Sequence, residues 1–179
     1  MHQVYDNVTG LAINTPKSYG KSLKADQLSE GIAKFFPVGK PTTELLGVES
    51  SSGLPVSILR RILPCIRDEI KEIRDIFAEL ELRMVGASLL IVYESDWNRA
   101  KEGMDKFDEA EADNEDDDGD EDDDEDEVAA ESRLGPPFVV KLIDFAHTKA
   151  APGEGQDKGV ITGINTMLKL LNKRIGELA

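Results

Sequence analysis

Sulfur is scarce in this chain of 179 residues, which carries four methionines and a single cysteine, Cys65. One thiol excludes an internal disulfide and makes a reducing compartment the expectation. Cys65 falls in the apolar-periodic stretch Ile62-Leu63-Pro64-Cys65-Ile66, which predicts a buried, inert thiol. Long apolar runs are missing, so the sequence offers no membrane span. The opening residues Met1-His2-Gln3-Val4-Tyr5 have neither the basic nor the apolar region of a signal peptide. Aromatics are only 6% of residues, and no basic patch is interleaved with them, so nucleic-acid binding has no support. No segment recurs at a fixed period, which excludes a repeat architecture.

What is abundant is negative charge, and it is local. The net charge is −15, from 36 acidic and 21 basic residues. Between Asp108 and Glu127, 16 of 20 residues are Asp or Glu, which leaves 20 acidic residues against 21 basic ones elsewhere. The folded part is therefore near neutral, and the overall acidity says little about what it binds. The acidic run cannot bury apolar surface and is expected to be a disordered excursion. It could dock a basic protein partner, although such runs are also found simply as solvated low-complexity loops. It does not match a calcium-binding EF-hand loop. The remaining chain, with 40% hydrophobic residues overall, is long enough for one domain with a real core.

Tyr19-Gly20-Lys21-Ser22-Leu23 reads as a turn. A short helix follows, with Leu28, Ile32, Phe35 and Phe36 on one face. Gly39, Pro41 and Ser50-Ser51-Ser52-Gly53 mark a loop. A long helix starts near Pro55, where Leu59, Ile62, Leu63, Ile66, Ile70, Ile73, Phe77 and Leu80 recur at three and four; Pro64 is expected to break or kink it near its start. Ala87 to Glu94 is a strand whose nearly continuous apolar core predicts cover on both faces. Phe138 to Asp144 is a second strand, predicted to pair antiparallel with the first. The stretch between them is read as one insert of over 40 residues, long for a hairpin but inexpensive in closure entropy if disordered. The last helix carries Ile161, Ile164, Met167, Leu168, Leu171 and Ile175. The fold class is α+β.

Four residues could carry chemistry. Asp144 ends an apolar strand, where a carboxylate could hold Mg²⁺ beside ATP phosphates; a strand-end Asp also simply caps a turn, and spacing alone favours the cap. His147, three residues on, could contact an anionic substrate, or serve as an ordinary surface histidine. Lys21 follows Gly20 and could reach a phosphate, or be a solvated lysine. Ser88 opens the first strand and is otherwise unremarked. Ala151-Pro152-Gly153-Glu154-Gly155 lacks the lysine and Ser/Thr of a phosphate-binding loop, so its glycines are read as turn residues. Asp157 is read as the cap of the final helix, in preference to a catalytic role.

Taken in order, these segments resemble the inositol polyphosphate kinase family, on its multikinase branch. The resemblance rests on Gln3-Val4-Tyr5 with Tyr19-Gly20-Lys21-Ser22-Leu23, and on the helix through Gly31 that ends in Phe35-Phe36. It continues in Ala87-Ser88-Leu89-Leu90-Ile91-Val92-Tyr93-Glu94. It closes with Ile143-Asp144-Phe145-Ala146-His147, followed by Asp157-Lys158-Gly159 and Gly163. The resemblance implies the C-terminal lobe of that kinase fold, with antiparallel strands packed on helices and a long acidic insert. It divides the chain into 1–107, the first part of the lobe, 108–135, the insert, and 136–179, the end of the lobe. It also implies transfer of the ATP γ-phosphate to a hydroxyl of an inositol phosphate, with Asp144 on the metal, Mg²⁺. His147 and, more weakly, Lys21 would contact the inositol phosphate, and Ser88 would shape the site.

Two departures stand out. Relatives often have a basic residue before Val-Tyr, where this chain has Gln3. The family motif Pro-x-x-x-Asp-x-Lys-x-Gly, which supplies the catalytic Asp, is absent, so no catalytic residue is assigned. The expectation is an N-terminally truncated kinase, inactive by itself and found in the cytoplasm or nucleus. The alternative is a catalytically inactive remnant that binds partners through its acidic loop.

Overall fold

The computed structural model describes residues 2–39, 51–115 and 135–179. Two long helices dominate the core. α3 (Val56–Glu79) buries Leu59, Ile62, Leu63, Ile66 and Ile70 completely, each burial stabilising by about 1.5–3 kcal/mol. The last helix, α5 (Lys158–Leu178), buries Ile164, Leu171 and Leu178 at seven-residue intervals and packs along α3. The two run antiparallel, since Arg60 near the start of α3 donates to the Leu178 carbonyl at the end of α5. Asp157 caps α5 as expected, accepting from the Gly159 and Val160 amides.

Pro64 does not break α3, which is helical without interruption across it. The proline forfeits one backbone bond and costs about 3 kcal/mol, but Leu63 and Ile66 on either side are fully buried, and their packing outweighs it. Cys65 is half-buried rather than buried, because it lies beside the apolar stripe of α3; its thiol donates to the Arg61 carbonyl at 3.2 Å.

α2 (Leu28–Phe35) packs on α5 and ends at the fully buried Phe36. Arg174 and Tyr93 donate to the Phe36 and Phe35 carbonyls, satisfying groups that the end of α2 leaves open. The segment read as a turn around Lys21 is instead α1 (Lys17–Ser22), started by Pro16, whose fixed φ suits a helix entrance. Before it, a hairpin of β1 (His2–Tyr5) and β2 (Ala12–Thr15) has no clear sequence signature. The expected loop lies mostly outside the described residues, but its ends meet. Gly39 N bonds to the Leu54 carbonyl at 2.8 Å, and Leu54 N bonds to Pro37 at 3.2 Å. Gly53 has φ +97°, and a Cβ there would stand 2.1 Å from the Pro37 oxygen, so no other residue fits.

The two strands read from the sequence are β4 (Ser88–Tyr93) and β5 (Phe138–Ile143), paired antiparallel as expected. Between them the chain is not one loop. α4 (Trp97–Glu115) occupies nearly half the stretch and takes in residues 108–115 of the acidic segment. Trp97, Ala100, Met104 and Phe107 recur at three and four, a helical signal that the surrounding charge obscures. Ala100 and Met104 are buried, and Arg61 of α3 pairs with Asp105 and Asp108 at 2.7 Å each. The acidic residues from 116 onward lie outside the described residues.

Two further short strands, β3 (Leu82–Met84) and β6 (Thr148–Ala150), pair antiparallel with each other. The architecture is mixed helix and antiparallel strand, an α+β fold. Among the described residues, no helix is long and apolar enough to cross a membrane.

Candidate functional site

β3 and β4 follow each other along one strand of a ribbon, and β5 and β6 along the other. Met84 stands opposite Thr148, and Ser88 opposite Ile143. Between these pairs, Val85, Gly86 and Ala87 face four residues, Asp144 to His147. The ribbon therefore carries a bulge with one extra residue on the second strand. Bulges re-aim side chains, and they concentrate at functional sites.

Asp144 begins the bulge with φ +69° and ψ +50°, the only non-glycine at positive φ among the described residues. This left-handed conformation costs about 1–2 kcal/mol for most residues and less for Asp. Phe145–His147 then make one 3-10 turn, closed by the Thr148 amide bonding to the Phe145 carbonyl. The His147 carbonyl accepts from Val85 N at 3.2 Å, which ties the turn to the opposite strand.

The Asp144 carboxylate and the His147 imidazole are exposed, and among the described residues neither makes a hydrogen bond or ion pair. Asp144 is not the cap that spacing favoured, since its side chain bonds to no helix amide. Both groups are thus open to a ligand from solvent. Ser88 is exposed on the strand opposite, directly across from Ile143. The structure therefore brings Ser88, Asp144 and His147 to one end of the β4–β5 pair. Lys21 is exposed at the end of α1, and no hydrogen bond or ion pair links it to the bulge among the described residues.

The expectation that both faces of the central strands are covered is overturned. Leu89, Ile91 and Tyr93 turn toward the helices, but Ser88, Leu90 and Val92, with Ile143, Lys141 and Val139 across from them, form an open face. Leu90, Val92 and Val139 are 40%, 53% and 42% exposed. Among the described residues the helices cover only one side of this two-stranded sheet, so the apolar run of β4 is not matched by burial on both faces. The bulge thus lies at the end of an open, mostly apolar surface.

A family model described as inositol polyphosphate kinase matches residues 2–172, nearly the whole chain. The chain belongs to the inositol polyphosphate kinase family. Inositol polyphosphate multikinase of Saccharomyces cerevisiae is 34% identical over 168 residues, covering 88% of this chain and 44% of that protein. A crystal structure of the inositol phosphate multikinase from S. cerevisiae, in complex with ADP and Mn²⁺, superposes with a TM-score of 0.58 at 22% identity. It covers 96% of this chain and 55% of the other, and it shows the shared fold. The chain thus spans about half the length of the relatives it matches.

The residues at the bulge fit a divalent metal of one kind. Among the described residues, no group of three or more His, Cys, Asp or Glu could hold an ion alone. Mg²⁺ and Mn²⁺ bound with nucleotides do not require such a cage, because one or two carboxylates suffice when phosphate oxygens and water complete the shell. An exposed carboxylate without a partner among the described residues, such as that of Asp144, meets that requirement.

Proposed function

We propose that this chain supplies the metal- and substrate-facing half of an ATP-dependent inositol phosphate kinase, with phosphate passing from ATP to an inositol hydroxyl. The observation that carries the reading is Asp144, a residue held in a left-handed bulge with a free carboxylate beside an open apolar face. The open face of Leu90, Val92, Val139 and Ile143, which also carries Ser88 and Lys141, offers apolar side chains against which the flat ring of a nucleotide could pack. Asp144, at its end, would hold the divalent ion, taken to be Mg²⁺, against the phosphates. Bound there, the metal would neutralise charge on the transferring phosphoryl group. His147, on the same turn, would contact the anionic inositol phosphate, with Lys21 a weaker second contact. Ser88 would keep the floor of the site small and polar.

Phosphoryl transfer depends on several groups acting together. The 179 residues contain no Pro-x-x-x-Asp-x-Lys-x-Gly motif. As part of the same proposal, the chain by itself does not catalyse at a useful rate and acts with residues that supply that motif, in the cytoplasm or nucleus.

The test is steady-state kinetics with inositol phosphates on a protein joining this chain to that motif. Asp144→Asn keeps the side chain's size and its tolerance of positive φ but removes the charge. It is expected to lower kcat by two orders of magnitude or more, at about 10²-fold per lost charge contact, with an unchanged circular dichroism spectrum. His147→Ala is expected mainly to raise KM for the inositol phosphate. Wild-type rates in a folded Asp144→Asn protein would place the metal elsewhere.

A further inference from the structure

We infer that Glu81, Arg83 and Asp157 are positioning residues that hold the Asp144–His147 bulge in shape from behind. The two sides of the bulge are anchored very differently. On the β4–β5 side, six residue pairs are in register and one face packs into the core. On the β3–β6 side only three pairs exist, and two of the three β6 residues are exposed. A two-stranded pair of that length does not sustain itself in water. A left-handed Asp, in turn, persists only where its surroundings over-determine it.

Side chains of β3 and its flanks supply what the ladder lacks. The Glu81 carboxylate accepts from the Gly153 and Gly155 amides at 2.9 and 3.1 Å. These glycines have φ of +80° and +66°, and this backbone turns both N–H groups onto one anion. Arg83 forks onto the carbonyls of Glu154 and Gly155, at 2.8 Å each. Asp157 accepts from Met84 N at 3.1 Å with one oxygen while the other caps α5. The loop after β6 is thereby fastened to β3, and β3 to a helix packed in the core. β6 is the strand into which the bulge runs, so its placement sets the placement of His147 and Asp144.

That the bulge holds a metal rests on the proposed function; that the clamp holds the bulge does not. The experiment separates the two by amide hydrogen exchange and Mn²⁺ titration, followed by NMR on the whole chain. In Arg83→Ala and Glu81→Ala, exchange at Val85 and Thr148 should rise about tenfold, the loss expected for charge-assisted bonds, while the β4 and β5 amides hold their rates. If an alanine variant fails to fold, Glu81→Gln, which keeps one acceptor oxygen, decides on the same amides.

Mn²⁺ is titrated in the presence of ADP, whose phosphate oxygens complete the shell, and broadening of the Asp144 and His147 signals is read against broadening of the acidic run in the same sample. In the clamp variants it should require about ten- to hundredfold more metal, the usual cost of losing an outer-shell support. Unchanged exchange at Val85 and Thr148 would overturn the clamp. So would a uniform rise that includes β4 and β5. Wild-type broadening in Asp144→Asn would overturn the metal reading and leave the exchange result to judge the clamp.

Discussion

The two halves of the bulged ribbon are built on opposite principles. The β4–β5 half is held by apolar burial: Phe138 and Val140 pack into the core beside α3, and Phe138 meets Phe107 edge to face at 5.6 Å. The β3–β6 half buries little, with Met84 its one buried residue. It is held by carboxylates and a guanidinium gripping backbone amides and carbonyls. Apolar packing is indifferent to pH and spread over many atoms. A polar clamp depends on a few groups in fixed geometry, each removable by one substitution or one proton. Asp144 sits where the two regimes meet.

The difference should appear first in the size of the damage a single substitution does. Phe138 is 3% exposed, and Phe138→Ala removes a ring from the core that supports β5. A loss of about 3–5 kcal/mol is expected by urea denaturation, enough to leave much of the chain unfolded at room temperature. A loss below about 1 kcal/mol would mean that the strand pair is not part of the core.

The same contrast explains how much was legible in the sequence. The helices α2, α3 and α5, and the strands β4 and β5, announce themselves because apolar burial leaves a periodic trace. Their antiparallel pairing followed from that trace, and so did the position of Asp144 and His147 at a strand exit. β3 and β6 leave no such trace: Leu82-Arg83-Met84 and Thr148-Lys149-Ala150 are too short and too mixed to show a period. Glu81 and Arg83 were missed for the same reason, since a carboxylate gripping two amides 72 and 74 residues away is invisible in one dimension. Positive φ at Asp144 was equally hidden, because an Asp before a Phe carries no local signal for a left-handed turn.

Acid should separate the two halves more gently. The Glu81 carboxyl is held below its ordinary value of 4.5 by the amides of Gly153 and Gly155, and Asp157 below 3.8, first by the Met84 amide and then by those of Val160 and Gly159. Depressed values mean that the unfolded chain binds protons more readily, so both groups stabilise the fold at neutral pH. That contribution is whole above the ordinary values and is lost as pH falls below them, through the lower folded-state values. Protection at Val85 and Thr148 should therefore fade on acidification below pH 4.5 before protection in β4 and β5 does. Asp157→Ala should give part of this effect at neutral pH, costing about 1 kcal/mol through the lost helix cap. Simultaneous loss of all protection with falling pH would show that the halves are a single cooperative unit.

The smallest effect is expected at the junction itself, where it bears on why Asp144 is there. Its backbone needs a left-handed conformation, which glycine adopts without strain and alanine does not. Asp144→Gly relieves the backbone but gives the unfolded chain more freedom, and the two terms nearly cancel, each being about 0.5–1 kcal/mol. Stability within about 0.5 kcal/mol of the parent is therefore expected by urea denaturation, whereas Asp144→Ala should fall about 1 kcal/mol below it. Among the described residues the carboxylate makes no hydrogen bond, so no such contact is removed with it. If glycine serves the fold as well as aspartate, the fold does not account for the aspartate, and the charge is there for something that binds. A drop of more than about 2 kcal/mol in Asp144→Gly would point the other way, to a carboxylate holding the bulge together.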